Sequence, residues 1–160
     1  MAYSNYEPVT GTIMNLSRGN DCCSQMMSVY TGNGIVNFMI GPQTRVIDSR
    51  QLRRGIQVTA FYDNSLPVPL IFPPQYQAQI VTVLDGNEQV MLSRFDRNLL
   101  AEDGSLQLNI ARSTVVETIN GQSVSCQLGN QTLLVYYTVT TRSIPPQTTP
   151  RKVVVLCDNG

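Results

Sequence analysis

The chain has 160 residues, 11 basic and 11 acidic side chains and no histidine. Zero net charge removes the footprint expected of a generic nucleic-acid binder, and the missing imidazole removes the Ser-His-Asp and Cys-His nucleophilic sites and the commonest metal ligand. With 42% hydrophobic and only 14% charged residues, the composition is that of a folded core, in one ordinary domain or two small units that share it.

The start, Met1-Ala2-Tyr3-Ser4-Asn5-Tyr6-Glu7-Pro8, has neither the positive charge nor the apolar run of a leader. No apolar run reaches the roughly 18 residues that a membrane helix needs. Four cysteines, Cys22, Cys23, Cys126 and Cys157, lack the C-x-x-C spacing of zinc or redox motifs. They read as ordinary thiols, with Cys157 a small buried hydrophobe at the end of an apolar run, and the expected setting is a reduced cytoplasm.

Runs rich in Val, Ile, Thr and Tyr, cut by Gly, Pro, Asn and Asp, predict an all-β chain. Strands are expected over 9–16, 25–30, 35–40, 55–63, 77–84, 89–95, 105–110, 114–119, 131–139 and 151–157. Gly32-Asn33-Gly34, Asp85-Gly86, Asp103-Gly104 and Asn120-Gly121 punctuate them as tight turns. One short helix is expected over 48–54, opened by Asp48 as a cap and closed by Gly55.

The chain also repeats itself. Gly34, Ile40, Thr44 and Val46 recur as Gly104, Ile110, Thr114 and Val116. Phe61-Tyr62 recurs as Tyr136-Tyr137, and Phe72-Pro73-Pro74-Gln75 as Ile144-Pro145-Pro146-Gln147. Val81, Val83 and Leu84 recur as Val153, Val155 and Leu156. The blocks keep their order, so an internal duplication is expected, with a first unit over 1–84 and a second, diverged unit over 89–160. Asp85-Gly86-Asn87-Glu88 is too short to act as a free linker, so the units are expected to pack together.

Within the first unit, Thr44-Arg45-Val46-Ile47-Asp48 followed by Leu52-Arg53-Arg54-Gly55-Ile56-Gln57-Val58 resembles the passage in OB-fold barrels where the third strand gives way to a connecting helix and the fourth strand. The resemblance covers about 70 residues per copy and implies two OB-like β-barrels in tandem. The second copy departs from it, with an Asn-Gly hairpin in place of the helix between Glu117 and Gly129. The whole chain resembles small uncharacterised proteins of anaerobic bacteria that share the Pro-Pro-Gln loop, a likeness that brings no activity with it.

The most unusual segment runs from Ser65 to Gln75, SLPVPLIFPPQ. Its prolines fix φ and remove backbone donors, which makes the loop stiff. In an OB barrel this is the loop between the last two strands, one of the two that grip ligands. Leu66, Val68, Leu70, Ile71 and Phe72 are apolar enough that a lid folded over the barrel end, or an interface, is the favoured reading. The second copy keeps Pro145 and Pro146 but puts Thr140-Thr141-Arg142-Ser143 in place of the apolar stretch.

Alternation on the fourth strand of each unit sends Ile56, Val58, Ala60 and Tyr62, and Leu133, Val135, Tyr137 and Val139, inward. Phe61 and Tyr136 fall on the wetter face, where an aromatic packs on a neighbouring module or stacks on a ligand. Arg45, Arg50, Arg53 and Arg54 form the only basic cluster and read as solvated arginines. Asp48, Asp63, Asp85 and Asp96 show no pairing that would make an acid-base site. No phosphate loop, dinucleotide signature, zinc spacing or calcium loop is present.

The expected protein is therefore a non-enzymatic binding or assembly module without cofactor or metal. Its candidate contact residues are Phe61, Phe72, Pro73, Pro74, Tyr136, Arg142, Pro145 and Pro146. Protein contact or self-association is the leading expectation. OB-type binding of single-stranded nucleic acid or of an oligosaccharide is the alternative, a carboxylate-based enzyme is a remote third, and no membrane partner is expected.

Overall fold

The structure, a computed structural model, describes residues 3–157. Met1 and Ala2, on which the reading of the N-terminus partly rests, lie outside the described residues, as do residues 158–160. The chain is all-β. Two compact units divide between Asp85 and Gly86, inside the expected connector, and residues 3 and 4 group with the second unit. No helix among the described residues is long and apolar enough to cross a membrane.

The first unit holds β1 (Tyr6–Arg18), β2 (Gln25–Tyr30), β3 (Ile35–Ile40), β4 (Arg45–Val46), β5 (Gln57–Asp63) and β6 (Gln75–Val83). β1, β2 and β3 form an antiparallel meander. β1 also pairs with β5, β5 with β6, and β6 returns to lie parallel to β3. The ring therefore closes in the order β1-β2-β3-β6-β5. β1 can serve both sides because its first half faces β5, its second half faces β2, and the register shifts between Ile13 and Asn15. The extra residue, Met14, bends the strand there. Inside the ring Ile13, Met27, Val29, Phe38, Val58, Ala60 and Val81 make a core.

Gly11 lets β2 close in. A Cβ at this position would stand 2.2 Å from the Tyr30 carbonyl oxygen and 2.7 Å from a Val29 methyl.

The second unit holds β7 (Gln89–Phe95), β8 (Gln107–Leu108), β9 (Val115–Thr118), β10 (Gln131–Tyr137), β11 (Gln147–Thr148) and β12 (Lys152–Val155). Its main sheet has the order β7-β10-β12-β9, and β8 pairs with β11 in parallel. Phe95, Leu106, Leu108, Leu133, Val135, Val153 and Val155 form its core.

The registers of the two units correspond. Val58 faces Val83 and Ala60 faces Val81 in the first unit, as Leu133 faces Val155 and Val135 faces Val153 in the second. Val46 faces Val81 in parallel, as Val116 faces Val153. Asn37 faces Gln75 in parallel, as Gln107 faces Gln147. The same threonine brace recurs: Thr44 Oγ1 donates to the Ala78 carbonyl at 2.8 Å and accepts from Gly41 N–H at 3.0 Å. Thr114 Oγ1 donates to the Pro150 carbonyl at 2.7 Å and accepts from Ala111 N–H at 3.2 Å.

The helix expected over 48–54 is not formed. Val46 is held in β4, a single 3-10 turn covers Ile47–Ser49, and Asp48 and Ser49 take left-handed φ of 61° and 50°. Ile47 is buried while Leu52 and Ile56 are half-buried against the core. Their spacings of five and four do not make one continuous helical stripe, so tertiary burial wins over the Asp cap. Cys157 is also corrected: it is exposed, with φ of 49°. The β10–β12 ladder ends at Val155, so this residue has left the buried sheet.

Candidate functional site

The proline-rich loop of the first unit, residues 64–74, leaves β5 through a turn built on Asp63. Its carboxylate accepts from Ser65 Oγ at 2.6 Å and from Ser65 N–H at 2.9 Å. These bonds, the hydroxyl first, hold the Asp63 carboxyl below its ordinary pKa. Leu66 N–H donates to the Asp63 carbonyl at 3.2 Å, and the Asn64 side chain donates to Glu7 at 2.9 Å. At the far end Phe72-Pro73 is cis, and the Pro74 carbonyl accepts from Asn37 N–H at 2.9 Å.

Both ends of the loop are therefore pinned to strands, and the apolar residues between stand out. Leu70 is fully exposed, Phe72 is 93% exposed, and Leu66, Val68 and Ile71 are exposed as well. The expected lid over the barrel end is not observed. Tyr62 and Tyr76, which flank the loop, stack on each other with ring centroids 3.9 Å apart, and Tyr76 also meets Phe38 at 6.0 Å. This end of the barrel is already packed by its own aromatics. Burial, and then the neighbouring Tyr76, push the Tyr62 hydroxyl pKa up.

In the second unit the equivalent loop, residues 138–146, is braced by hydroxyls. Thr148 Oγ1 donates to the Val139 carbonyl at 2.6 Å, and Thr141 Oγ1 accepts from Gln147 N–H at 2.9 Å. Ser143 Oγ donates to the Pro145 carbonyl at 2.8 Å and lies 2.6 Å from Thr141 Oγ1. Ile144-Pro145 is cis, and the Pro146 carbonyl accepts from Gln107 N–H at 2.9 Å, the counterpart of the Asn37 bond. Ile144 is 99% exposed and Arg142 is exposed. A cleft of about 400 Å³ opens beside this loop, lined by Asn109, Thr138, Thr140, Thr141, Gln147 and Thr149 among others. Val139 and Thr148 complete the lining, which mixes hydroxyls and amides with apolar surface and carries no charge. The run Thr138-Val139-Thr140-Thr141 and the pair Thr148-Thr149 were the only sequence signal for it.

The eight candidate residues thus separate into three groups. Phe72 and Arg142 are exposed at the two loops. Pro73, Pro74, Pro145 and Pro146 are half-buried. Phe61 and Tyr136, expected on the wetter face, are 1% and 2% exposed and cannot stack on a ligand in this conformation. Phe61 lies between Pro8 and Ile80 in register. The Tyr136 ring carries the Arg151 guanidinium at 5.4 Å and the Lys152 ammonium at 5.8 Å from its centroid. Arg151 is held by two bonds to the buried Glu88, at 2.6 and 2.8 Å, and Lys152 lies 3.4 Å from Glu117.

Arg45, Arg50, Arg53 and Arg54 are all exposed. Asp63 and Asp96 are engaged in turns, the latter accepting from the N–H groups of Asn98 and Leu100 at 2.8 and 3.0 Å. Among the described residues no three His, Cys, Asp or Glu side chains cluster to hold a metal ion. No protein-family model matches this chain, and no similar curated protein or solved structure was found.

Proposed function

We propose that the chain is a non-enzymatic binding or assembly module of two OB-type units derived from one by duplication. The ring order β1-β2-β3-β6-β5, a five-stranded Greek-key barrel, supports the OB reading of the first unit. The matched registers and the paired Thr44 and Thr114 braces support the duplication.

The observation that carries the functional reading is the row Leu70, Ile71 and Phe72, held in solvent on a loop pinned at both ends. Burial of such a side chain contributes roughly 1.5–3 kcal/mol. A loop already stiffened by proline loses little freedom when it docks. The contact is with protein, and a second copy of the chain is the first partner to test.

Light scattering over micromolar concentrations, with a chelator present, reads this directly. The wild type associates, and Leu70→Ser combined with Phe72→Ser weakens association about a hundredfold or more. A wild type that stays monomeric throughout would sink self-association.

The exposed Arg45, Arg50, Arg53 and Arg54 beside an OB-type barrel favour a second reading, binding of a single-stranded oligonucleotide. Its mark is affinity for labelled oligonucleotides that falls steeply between two salt concentrations. No binding at low salt removes it.

A further inference from the structure

The turn between β1 and β2 carries two adjacent thiols that neither loop reading uses. Gly19 N–H donates to the Ser24 carbonyl at 3.0 Å and closes the turn. Inside it, Asp21 accepts from Cys23 N–H at 2.9 Å and from Ser24 Oγ at 3.1 Å. Both cysteines are exposed, both are free, and their Sγ atoms lie 3.8 Å apart.

That separation has a chemical meaning. Two thiolates bound to one tetrahedral ion at about 2.3 Å, with a bond angle of about 109°, stand roughly 3.8 Å apart. The pair has the bite of a tetrahedral chelate before any ion arrives. A linear two-coordinate ion would need the sulfurs two full bond lengths apart, which this spacing does not offer. Thiolates select soft or borderline cations over magnesium or calcium.

We propose that Cys22 and Cys23 are half of a thiolate site for a zinc-like divalent cation, completed by the same pair from a second copy. One chain brings two ligands, and no cluster of three or more ligating side chains occurs among its described residues. Structural zinc sites take four, and a two-fold contact supplies the same pair twice. Each thiol gives its proton to solvent and donates a lone pair to the metal, with no change of oxidation state, so affinity climbs with pH. This site is independent of the proline-rich loop and stands or falls without it.

Cobalt(II) chloride titrated into the reduced full-length chain tests the proposal, since tetrahedral cobalt thiolates have intense visible and near-ultraviolet absorption. The expected result is saturation at one metal per two chains with zinc displacing the cobalt, and, in the Leu70→Ser/Phe72→Ser background that removes the loop contact, a scattering mass that doubles only when metal is present. Cys22→Ser and Cys23→Ser each abolish the absorption and the doubling, while Cys126→Ser retains both. Absence of a thiolate band in the wild type, or its survival in Cys22→Ser, overturns the site. Saturation at one metal per chain without doubling overturns its completion by a second copy. Metal-dependent doubling that persists in Leu70→Ser/Phe72→Ser separates this site from the loop contact.

Discussion

The two units share a frame and differ at its rim. Thr44 and Thr114 brace corresponding carbonyls, Pro74 and Pro146 accept from corresponding N–H groups, and the ladders of β5–β6 and β10–β12 keep one register. The first unit adds the full strand β2. The second spans the same stretch with turns and isolated bridges, Phe95 to Ala101 and Leu100 to Gln107. The loops diverge too, five exposed apolar residues in one against a hydroxyl-braced loop and an uncharged cleft in the other. Bonds internal to a fold tolerate little change, whereas a loop anchored at both ends can change its chemistry without disturbing the frame. The chemical difference between the units lies in the rim.

The largest test of this comparison lies in the cores. Phe38 and Leu108 occupy corresponding positions and are both buried. Phe38→Ala is expected to cost roughly 3–5 kcal/mol and Leu108→Ala roughly 2–5 kcal/mol, read from denaturant midpoints. A negligible effect at either position would mean that the two cores are not built alike.

The next test concerns the missing strand. Gly11 faces Val58 as Ser93 faces Leu133, so the two are counterparts. Gly11 is crowded by the Tyr30 carbonyl on β2, whereas β7 is the edge of its four-stranded sheet, so a side chain fits at Ser93. Gly11→Ser is expected to destabilise by about 1–3 kcal/mol through overpacking. Ser93→Gly costs on the order of 1 kcal/mol, as glycine does within a strand. Equal effects in thermal unfolding would break the asymmetry.

The braces sharpen the shared part. Thr44→Val and Thr114→Val each remove one donor and one acceptor and leave a carbonyl and an N–H without their partner. A loss of about 1–3 kcal/mol is expected at each, larger at Thr114, which is buried where Thr44 is half-buried. Chemical denaturation of the two variants under one condition ranks them.

The smallest effect is at alkaline pH. Burial raises the Tyr137 pKa, and burial followed by the neighbouring Tyr76 raises that of Tyr62. Such a group binds its proton more tightly when folded. Its contribution is whole below the unfolded value of about 10 and is lost as pH rises from there through the folded value. Tyr62→Phe and Tyr137→Phe should each flatten the fall in stability above that pH. A curve unchanged in both would contradict it.

Much of this was legible in the chain. The strand at 89–95 and the hairpin strands at 25–30 and 35–40 follow from runs of strand-favouring residues bounded by turn residues, a signal confined to neighbours in sequence. Alternation places Ile56, Val58, Ala60 and Tyr62, and Leu133, Val135 and Tyr137, against the two cores, but Val139, read inward with them, lies past the end of β10 and is 74% exposed. The short helix was misread because a cap and a glycine are local signals, whereas the burial of Ile47 and the pairing of Val46 with Val81 are not. Phe61 and Tyr136 were misread for a related reason. Alternation distinguishes two faces but cannot say that both are covered.

The sequence by itself determined the β class, most strand positions, the recurrence of the Pro-Pro-Gln loop and the absence of imidazole chemistry. Each of these rests on composition or on neighbours within a few residues. Tertiary structure alone decided that the ring of the first unit closes, that Leu70 and Phe72 stand in solvent, and that two adjacent thiols sit 3.8 Å apart. Ring closure and exposure depend on strands dozens of residues apart, and the thiol spacing depends on side-chain geometry that residue order does not encode.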